Sequence, residues 1–208
     1  MDMNFYSELI RKFYLICDPI KMRLNEFSKV LPENWFYELV YCLCTPQSKA
    51  AHAMIVQKKF EESDFFNYPY NPAPILLDKT NYIRFHNQKA INILLAHQNF
   101  YDIDKCLKSS TDTYTKRIWL SKNVRGLGLK ESSHFLRNIG FKNVAILDRH
   151  ILKQLYGYGV IDEIKKISST SQYFEIEKKF LNFSNQIGIS MDELDLLFWS
   201  NETGEILK

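Results

Sequence analysis

The chain contains little cysteine and no long apolar segment. Its four cysteines, Cys17, Cys42, Cys44 and Cys106, form no Cys-x-x-Cys pair. Isolated cysteines with apolar neighbours usually behave as small buried hydrophobic residues, so no disulfide framework is expected and a reducing cytoplasm is the expected location. Because no apolar run approaches the roughly 20 residues that a membrane span requires, we expect no membrane association.

Strong net charge is also missing, because Lys and Arg exceed Asp and Glu by only three. The distribution is uneven, however: residues 1–160 carry 22 Lys and Arg against 15 Asp and Glu, whereas residues 161–208 carry 5 against 9. A positive body with an acidic tail is compatible with phosphate binding but indicates it only weakly. The five histidines show no paired spacing for a transition metal, so no metal site is predicted.

Strand-like alternation, internal repeats and low-complexity linkers are absent, whereas apolar residues recur at the three-to-four-residue spacing of helices. The chain is therefore predicted to be all-α. We expect one unit over residues 1–208 with two helical lobes, and with a hairpin and catalytic lobe at about 105–160.

Local signals predict where several helices begin and end. Residues 33–44 are apolar almost all round, which predicts a central helix. The Thr45-Pro46 pair predicts an N-cap and first position of a helix that runs to Glu62. Gly140 is predicted to end a helix that begins at Lys130.

The segment 124–130, Val-Arg-Gly-Leu-Gly-Leu-Lys, carries the most specific chemistry of the chain. Gly126 and Gly128 would leave backbone N–H groups of a helix-to-helix turn unshielded by side chains. Those groups lie at the start of the second helix, where partial positive charge favours an anion such as a DNA phosphate. Taken alone, a Gly-x-Gly turn is more often only a tight connection between two helices.

Two side chains near this turn are candidates for catalysis. Lys130 lies in the first turn of the second helix, where the helix dipole disfavours the charged amine, and a neutral amine can attack a sugar C1′. Asp148 lies at the start of a later helix, where it is an N-cap candidate. It could also accept the proton of the amine and stabilise positive charge on the sugar. A solvated lysine and a simple cap are the more common explanations of each residue by itself.

The run from Val124 to Leu152 resembles the helix-hairpin-helix DNA glycosylase superfamily, with its Gly-hydrophobic-Gly-x-Lys hairpin and downstream aspartate. More narrowly, segments 130–138, 145–152 and 45–50 resemble the type-2 8-oxoguanine DNA glycosylase/AP lyases, and the likeness extends from about residue 30 to the C-terminus. The resemblance implies that Lys130 is the Schiff-base nucleophile and Asp148 the catalytic carboxylate. It also implies removal of 8-oxoguanine followed by β-elimination of the 3′ phosphate.

One branch of this superfamily, the endonuclease III-like enzymes, carries a C-terminal four-cysteine iron–sulfur cluster. No cysteine of this chain lies after Cys106, so we expect no such cluster and no other cofactor. This departure favours the 8-oxoguanine branch.

The resemblance also implies a pocket for an extruded base. Trp199 is expected to stack on the base, because aromatic faces recover about 1–3 kcal/mol per stacked base. Phe85 is a weaker candidate for the opposite face. The carboxylate of the C-terminal residue, Lys208, is expected to accept hydrogen bonds from guanine N–H groups.

Further residues are expected to contact DNA. By the same resemblance, Gln47 is a candidate wedge that enters the duplex, although a solvated glutamine in a first helical turn is equally consistent with the sequence. Candidate phosphate contacts are Gly126, Gly128, Arg84, Arg149, Lys49, Lys89 and Arg125.

The expected partner is double-stranded DNA containing 8-oxoguanine, bound by a monomer that is associated with the nucleoid. Two alternatives stay open at this point: a glycosylase for a different damaged base, and a non-enzymatic helix-hairpin-helix module that binds DNA for a partner.

Overall fold

The computed structural model describes residues 3–206 and 208. Within them the chain forms α-helices and one short 3₁₀ helix (Pro32–Asn34), without a β-strand. The all-α prediction is therefore confirmed. The α-helices are, in chain order, α1 (Met3–Ser28), α2 (Trp35–Cys44), α3 (Ala50–Glu62), α4 (Ala73–Leu77), α5 (His86–Gln98), α6 (Phe100–Lys108), α7 (Thr113–Asn123), α8 (Leu129–Asn138), α9 (Arg149–Gly157), α10 (Thr170–Ile187) and α11 (Met191–Thr203).

The described residues divide into two compact units. The central unit is Val30–Ile139, and the terminal unit combines the residues up to Lys29 with those from Gly140 onward. The boundary between Ile139 and Gly140 lies within the block 105–160.

The core of the central unit is built around α2. Every residue of this helix from Phe36 to Cys44 is buried, and α3, α5 and α8 pack around it. The prediction of a central helix over 33–44 is confirmed, with its first turn formed by the 3₁₀ helix.

One buried carboxylate connects three helices of this unit. Glu38 of α2 is 7% exposed, and its oxygens accept hydrogen bonds from Gln57 Nε2 of α3 at 2.9 Å and Asn138 Nδ2 of α8 at 3.2 Å. Because a buried polar group without partners destabilises a fold, this network fixes the orientation of α3 and α8 around α2.

The terminal unit is built around α11, which packs against α1, α9 and α10. Leu194, Leu197 and Phe198 of α11 are fully buried. The ring of Tyr158 stacks on Phe198 with centroids 5.7 Å apart, and Phe180 of α10 stacks on Phe198 at 6.0 Å. Aromatic side chains therefore form much of this core.

Helix α1 runs through a proline. Pro19 has no N–H for the helix, and Ile16, three residues before it, departs from helical geometry with φ −131° and ψ 16°. The helix continues beyond this kink to Ser28. Among the described residues, none of the helices combines the length and apolarity needed to cross a membrane.

Gly140 behaves as predicted at the end of α8. Its φ is +92°, and a Cβ at this position would lie 3.0 Å from Ser28 Cα. A glycine is required there both by the left-handed conformation and by the close approach of the end of α1.

Candidate active site

The hairpin consists of α7, α8 and the five residues 124–128 between them. Val124 and Leu127 are buried, and the N–H of Leu127 donates to the Val124 carbonyl at 3.1 Å. Arg125 and Gly126 are exposed at the tip. Two apolar side chains thus anchor a tip whose backbone faces solvent.

The two glycines of the hairpin have different roles. Gly126 has φ +97°, and a Cβ there would lie 2.4 Å from Asn92 Nδ2 and 3.0 Å from Leu43 Cδ2. Gly128 has φ −93°, and a Cβ there would approach the flexible Glu131 carboxylate at 3.1 Å. Only Gly126 therefore requires glycine for its conformation and for the close packing of α5 against the hairpin.

Lys130 is paired with a carboxylate that sequence reasoning missed. Its Nζ lies 2.9 Å from Oε1 of Glu131, and the two side chains are 34% and 15% exposed. Oε2 of Glu131 accepts a hydrogen bond from the N–H of Gly128 at 3.2 Å. The signal that was available is an acidic residue at the third position of a helix, the capping-box position, directly after the lysine.

The segment 45–49 between α2 and α3, the Gln47 turn, differs from the prediction. Thr45 continues the backbone of α2, and its hydroxyl donates to the Cys42 carbonyl at 3.1 Å. Helix α3 begins only at Ala50, so the Thr45-Pro46 helix start is wrong. Gln47 is exposed, with φ +57°, at the tip of a turn and not in a helix.

A second exposed turn carries Arg84 and Phe85. Phe85 has φ +59° and is 51% exposed, and the Arg84 guanidinium lies 5.0 Å from the centroid of its ring. The N–H of Arg84 donates to Ser48 Oγ at 3.0 Å, which connects this turn to the Gln47 turn. Non-glycine residues in the left-handed region are strained, and such strain concentrates at functional sites.

Lys89 of α5 holds the Gln47 turn from inside. Its Nζ donates to the carbonyls of Cys44 at 2.7 Å and Pro46 at 2.6 Å and to Ser48 Oγ at 3.2 Å. The residue is only 5% exposed, and these bonds use all three of its protons. The expectation that Lys89 contacts a phosphate is therefore wrong. Burial lowers the pKa of Lys89 from 10.5 to about 8.

In the terminal unit, Asp148 caps α9 as predicted. Its Oδ1 accepts hydrogen bonds from the N–H groups of His150 at 2.8 Å and Ile151 at 2.9 Å. Its Oδ2 accepts a hydrogen bond from Trp199 Nε1 at 3.2 Å. Three donors, one of them from α11, thus fix the direction of this carboxylate.

The segment before Asp148 is held by α10. The Ala145 N–H donates to Glu177 at 2.9 Å, and its carbonyl accepts a hydrogen bond from Tyr173 Oη at 2.6 Å. Residues 144–147 are buried. Asp148 therefore follows a buried segment, residues 144–147, that hydrogen bonds hold against α10.

His150 lies next to Trp199 and has two polar partners of its own. The His150 ring lies edge-on to Trp199 at 6.2 Å, and His150 Nδ1 is 3.5 Å from Glu202. Arg149 is exposed, and its Nε donates to His150 Nε2 at 3.2 Å. Trp199 itself is partly buried, with one polar end on Asp148.

The end of the chain is described only in part, because Leu207 lies outside the described residues. Lys208 is partly buried, and the Ile206 carbonyl accepts a hydrogen bond from Arg23 at 3.5 Å. In the described part of the chain, no group of three or more His, Cys, Asp and Glu side chains is arranged to hold a metal ion.

A family model described as 8-oxoguanine DNA glycosylase matches residues 20–189. The chain belongs to this family.

Related proteins match this chain in sequence over nearly its whole length. The 8-oxoguanine DNA glycosylase/AP lyase of Fusobacterium nucleatum is 38% identical to this chain, and the match covers 100% of both proteins. The protein of the same name from Methanocaldococcus jannaschii is 36% identical over 93% of both.

Solved structures show the same fold. The crystal structure of the 8-oxoguanine DNA glycosylase from M. jannaschii matches with a TM-score of 0.85 at 34% identity, over 98% of this chain and 99% of that one. The enzyme from Thermotoga maritima matches with a TM-score of 0.87 at 27% identity, over 99% of both. The helix-hairpin-helix glycosylase fold is therefore confirmed.

The predicted site residues of this family member belong to both units. Hydrogen bonds join the Gln47 turn to the Arg84–Phe85 turn, and Trp199 to Asp148. The central unit contains Gly126, Gly128, Lys130, Gln47, Arg84 and Phe85, and the terminal unit contains Asp148, Arg149, Trp199 and Lys208.

The two hairpin glycines give a matched pair of variants. We expect Gly126→Ala to destabilise the protein by about 2–4 kcal/mol, because strain at positive φ adds to the clash with Asn92. Gly128→Ala should stay within about 1 kcal/mol of the parent, since its backbone suits alanine. Urea unfolding of both variants measures the difference, and equal costs would contradict the distinct roles of the glycines.

The shifted pKa of Lys89 predicts a pH-dependent stability. An unfolded lysine keeps its proton to about pH 10.4, whereas Lys89 in the folded chain loses it near pH 8. The unfolded state therefore binds more protons between these values, and the contribution of Lys89 to the unfolding free energy rises with pH.

Urea unfolding from pH 7 to 10 should show this rise as a growing difference between the parent and Lys89→Met, of up to about 3 kcal/mol. The exposed lysine variant Lys79→Met serves as the control and should run parallel to the parent. A flat difference for Lys89→Met would show that the buried amine keeps an ordinary pKa.

Proposed function

We propose that the protein removes 8-oxoguanine from double-stranded DNA and cleaves the resulting abasic site through a Schiff base on Lys130. The observation that carries this proposal is a paired, partly exposed lysine amine at the start of α8, directly after the hairpin turn 124–128. Family membership supports the lesion: the M. jannaschii enzyme has been crystallised with a 15mer DNA containing 8-oxoguanine.

The hairpin supports DNA binding without base readout. Its tip is exposed, and the first N–H groups of a helix have no intrahelical acceptor, so α8 offers donors and partial positive charge to a phosphate. The exposed Arg84 and Arg149 are proposed as further phosphate contacts, and Gln47 as the residue that enters the duplex.

In the proposed reaction the neutral Lys130 amine attacks C1′ of the damaged nucleotide. The N–C1′ bond forms as the glycosidic bond breaks, and the electron pair of that bond leaves with the base. Asp148 is proposed to stabilise the positive charge that develops on the sugar. Three hydrogen bonds hold its carboxylate ready, so little reorganisation is needed when the charge appears.

The second half of the proposed reaction is a β-elimination. Ring opening converts the C1′ adduct into a Schiff base, which acidifies the C2′ proton. Loss of that proton and cleavage of the C3′–O bond release the 3′ phosphate, and hydrolysis then frees Lys130. No redox step or cofactor is required by this balance.

Trp199 and Lys208 of the terminal unit are proposed to contact the extruded base, and Phe85 of the central unit is proposed as a further stacking residue. The indole N–H of Trp199 is bonded to Asp148, so a base stacked on this ring would stand beside the carboxylate. The exposed ring of Phe85 is suited to a second stacking contact.

The whole chain is proposed to form one enzyme. The match to the F. nucleatum relative, which covers 100% of both chains, supports this proposal. Action as a monomer stays a prediction.

Borohydride trapping tests the proposed function. The parent protein should form a covalent complex with a duplex containing 8-oxoguanine, and Lys130→Gln should form none while it keeps DNA affinity, because only the nucleophile is lost. Lys122→Gln, which alters an exposed lysine in the last turn of α7, is the matched control and should be trapped like the parent.

The same assay decides between the lesion and the alternatives. Duplexes that contain guanine or thymine glycol in place of 8-oxoguanine should give little complex. Trapping that persists in Lys130→Gln would refute the assigned nucleophile, and a parent that is never trapped would favour a DNA-binding module without activity.

The bond between Trp199 and Asp148 predicts different effects for two substitutions. Trp199→Phe keeps an aromatic face but removes the N–H donor, so kcat should fall about tenfold with little change in KM. Trp199→Ala should lose both properties and raise KM as well. Single-turnover and steady-state rates on an 8-oxoguanine duplex give this comparison, and a Phe variant with unchanged kcat would remove any role for the hydrogen bond.

A further inference from the structure

Glu131 has two contacts that face different ways. Its Oε2 accepts the Gly128 N–H at 3.2 Å, whereas its Oε1 lies 2.9 Å from Nζ of Lys130. The carboxyl group is therefore held by the backbone on one side and presented to the candidate nucleophile on the other. Its side chain is only 15% exposed, so water has limited access to this carboxyl group.

A lysine amine must lose a proton before it can attack carbon, because the ammonium ion has no free electron pair. A general base must lie within hydrogen-bond reach of the proton that it removes, about 2.6–3.2 Å between heavy atoms. The separation of Glu131 Oε1 from Lys130 Nζ, 2.9 Å, meets this requirement without any movement of the backbone.

Asp148 is less suited to this task by its own contacts. Both of its oxygens already accept hydrogen bonds, from two backbone N–H groups and from Trp199. These bonds fix the direction of a carboxylate that is proposed to stabilise charge on the sugar. A group other than Asp148 is therefore better suited to accept the proton of Lys130.

We propose that Glu131 is the catalytic base that takes the proton of Lys130 before the amine attacks C1′. The inference rests on the proposed function, in which Lys130 is the nucleophile. The proton passes from Nζ to Oε1 of Glu131, the ion pair becomes a neutral amine and a carboxylic acid, and the nitrogen electron pair forms the bond to C1′. The proton on Glu131 is then available to the leaving base or to solvent.

A purely structural role for Glu131 makes a different prediction. A glutamine at this position of a capping box also accepts the backbone N–H, so Glu131→Gln preserves the cap but cannot take a proton. The chain provides a matched control in α11, where Glu193 accepts hydrogen bonds from the N–H and hydroxyl of Ser190 at 3.0 and 2.6 Å. Glu193→Gln therefore makes the same chemical change in a second capping box.

The experiment measures single-turnover borohydride trapping on a duplex with a preformed abasic site, at saturating enzyme and from pH 6 to 10. This substrate isolates Schiff-base formation from removal of the base. At pH 7 we expect Glu131→Gln to react about 100-fold more slowly than the parent, and Glu193→Gln to react like the parent. The difference in trapping rate between Glu131→Gln and the parent should shrink as pH rises, because solvent then removes the proton from Lys130.

Binding and stability complete the test. Glu131→Gln should unfold at the same urea concentration as Glu193→Gln and should bind the duplex as tightly as the parent or more tightly, since a negative charge near phosphate is removed. A Glu131→Gln variant with the parent's rate at every pH would show that Glu131 only caps the helix. A parent that forms no trapped complex would instead refute the proposed function, and the role of Glu131 would fall with it.

Discussion

The N–H groups that lack acceptors at the start of a helix position candidate catalytic carboxylates in each of the two units. At α9 they bind Asp148, and at α8 the Gly128 N–H binds Glu131, whose other oxygen contacts Lys130. At each of these two helix starts, a carboxylate accepts one or two of the N–H groups. The same hydrogen bonds that stabilise the helices therefore hold acidic groups in fixed directions, as catalysis requires.

A second constraint is the packing of α5 in the central unit. Lys89 binds the Gln47 turn, and Asn92, one helical turn further on, packs against Gly126 of the hairpin. One face of a single helix thus supports two exposed elements that are proposed to contact DNA. We expect this support to lower the ordering cost of the proposed DNA contacts, because Lys89 already holds the Gln47 turn in place.

Several features could be predicted because they depend on neighbouring residues alone. The cap at Asp148 and the left-handed Gly140 follow from side-chain chemistry and backbone sterics, and the structure has both. The Thr45-Pro46 helix start was wrong because Thr45 prolongs α2 and its hydroxyl bonds within that helix. Lys89 was misassigned because its neighbours in the sequence do not show where its amine lies. In the structure the amine binds the carbonyls of Cys44 and Pro46, at and just after the end of α2.

The sequence determines the helical class of this protein, its hairpin and the residue types that chemistry at a sugar requires, since periodicity, glycine placement and capping signals act over a few residues. The burial of Lys89, the bond from Trp199 to Asp148 and the space that forbids a side chain at Gly126 were decided only by tertiary structure. Each of these contacts joins groups more than 30 residues apart. Their distances depend on how whole helices pack, which local patterns do not encode.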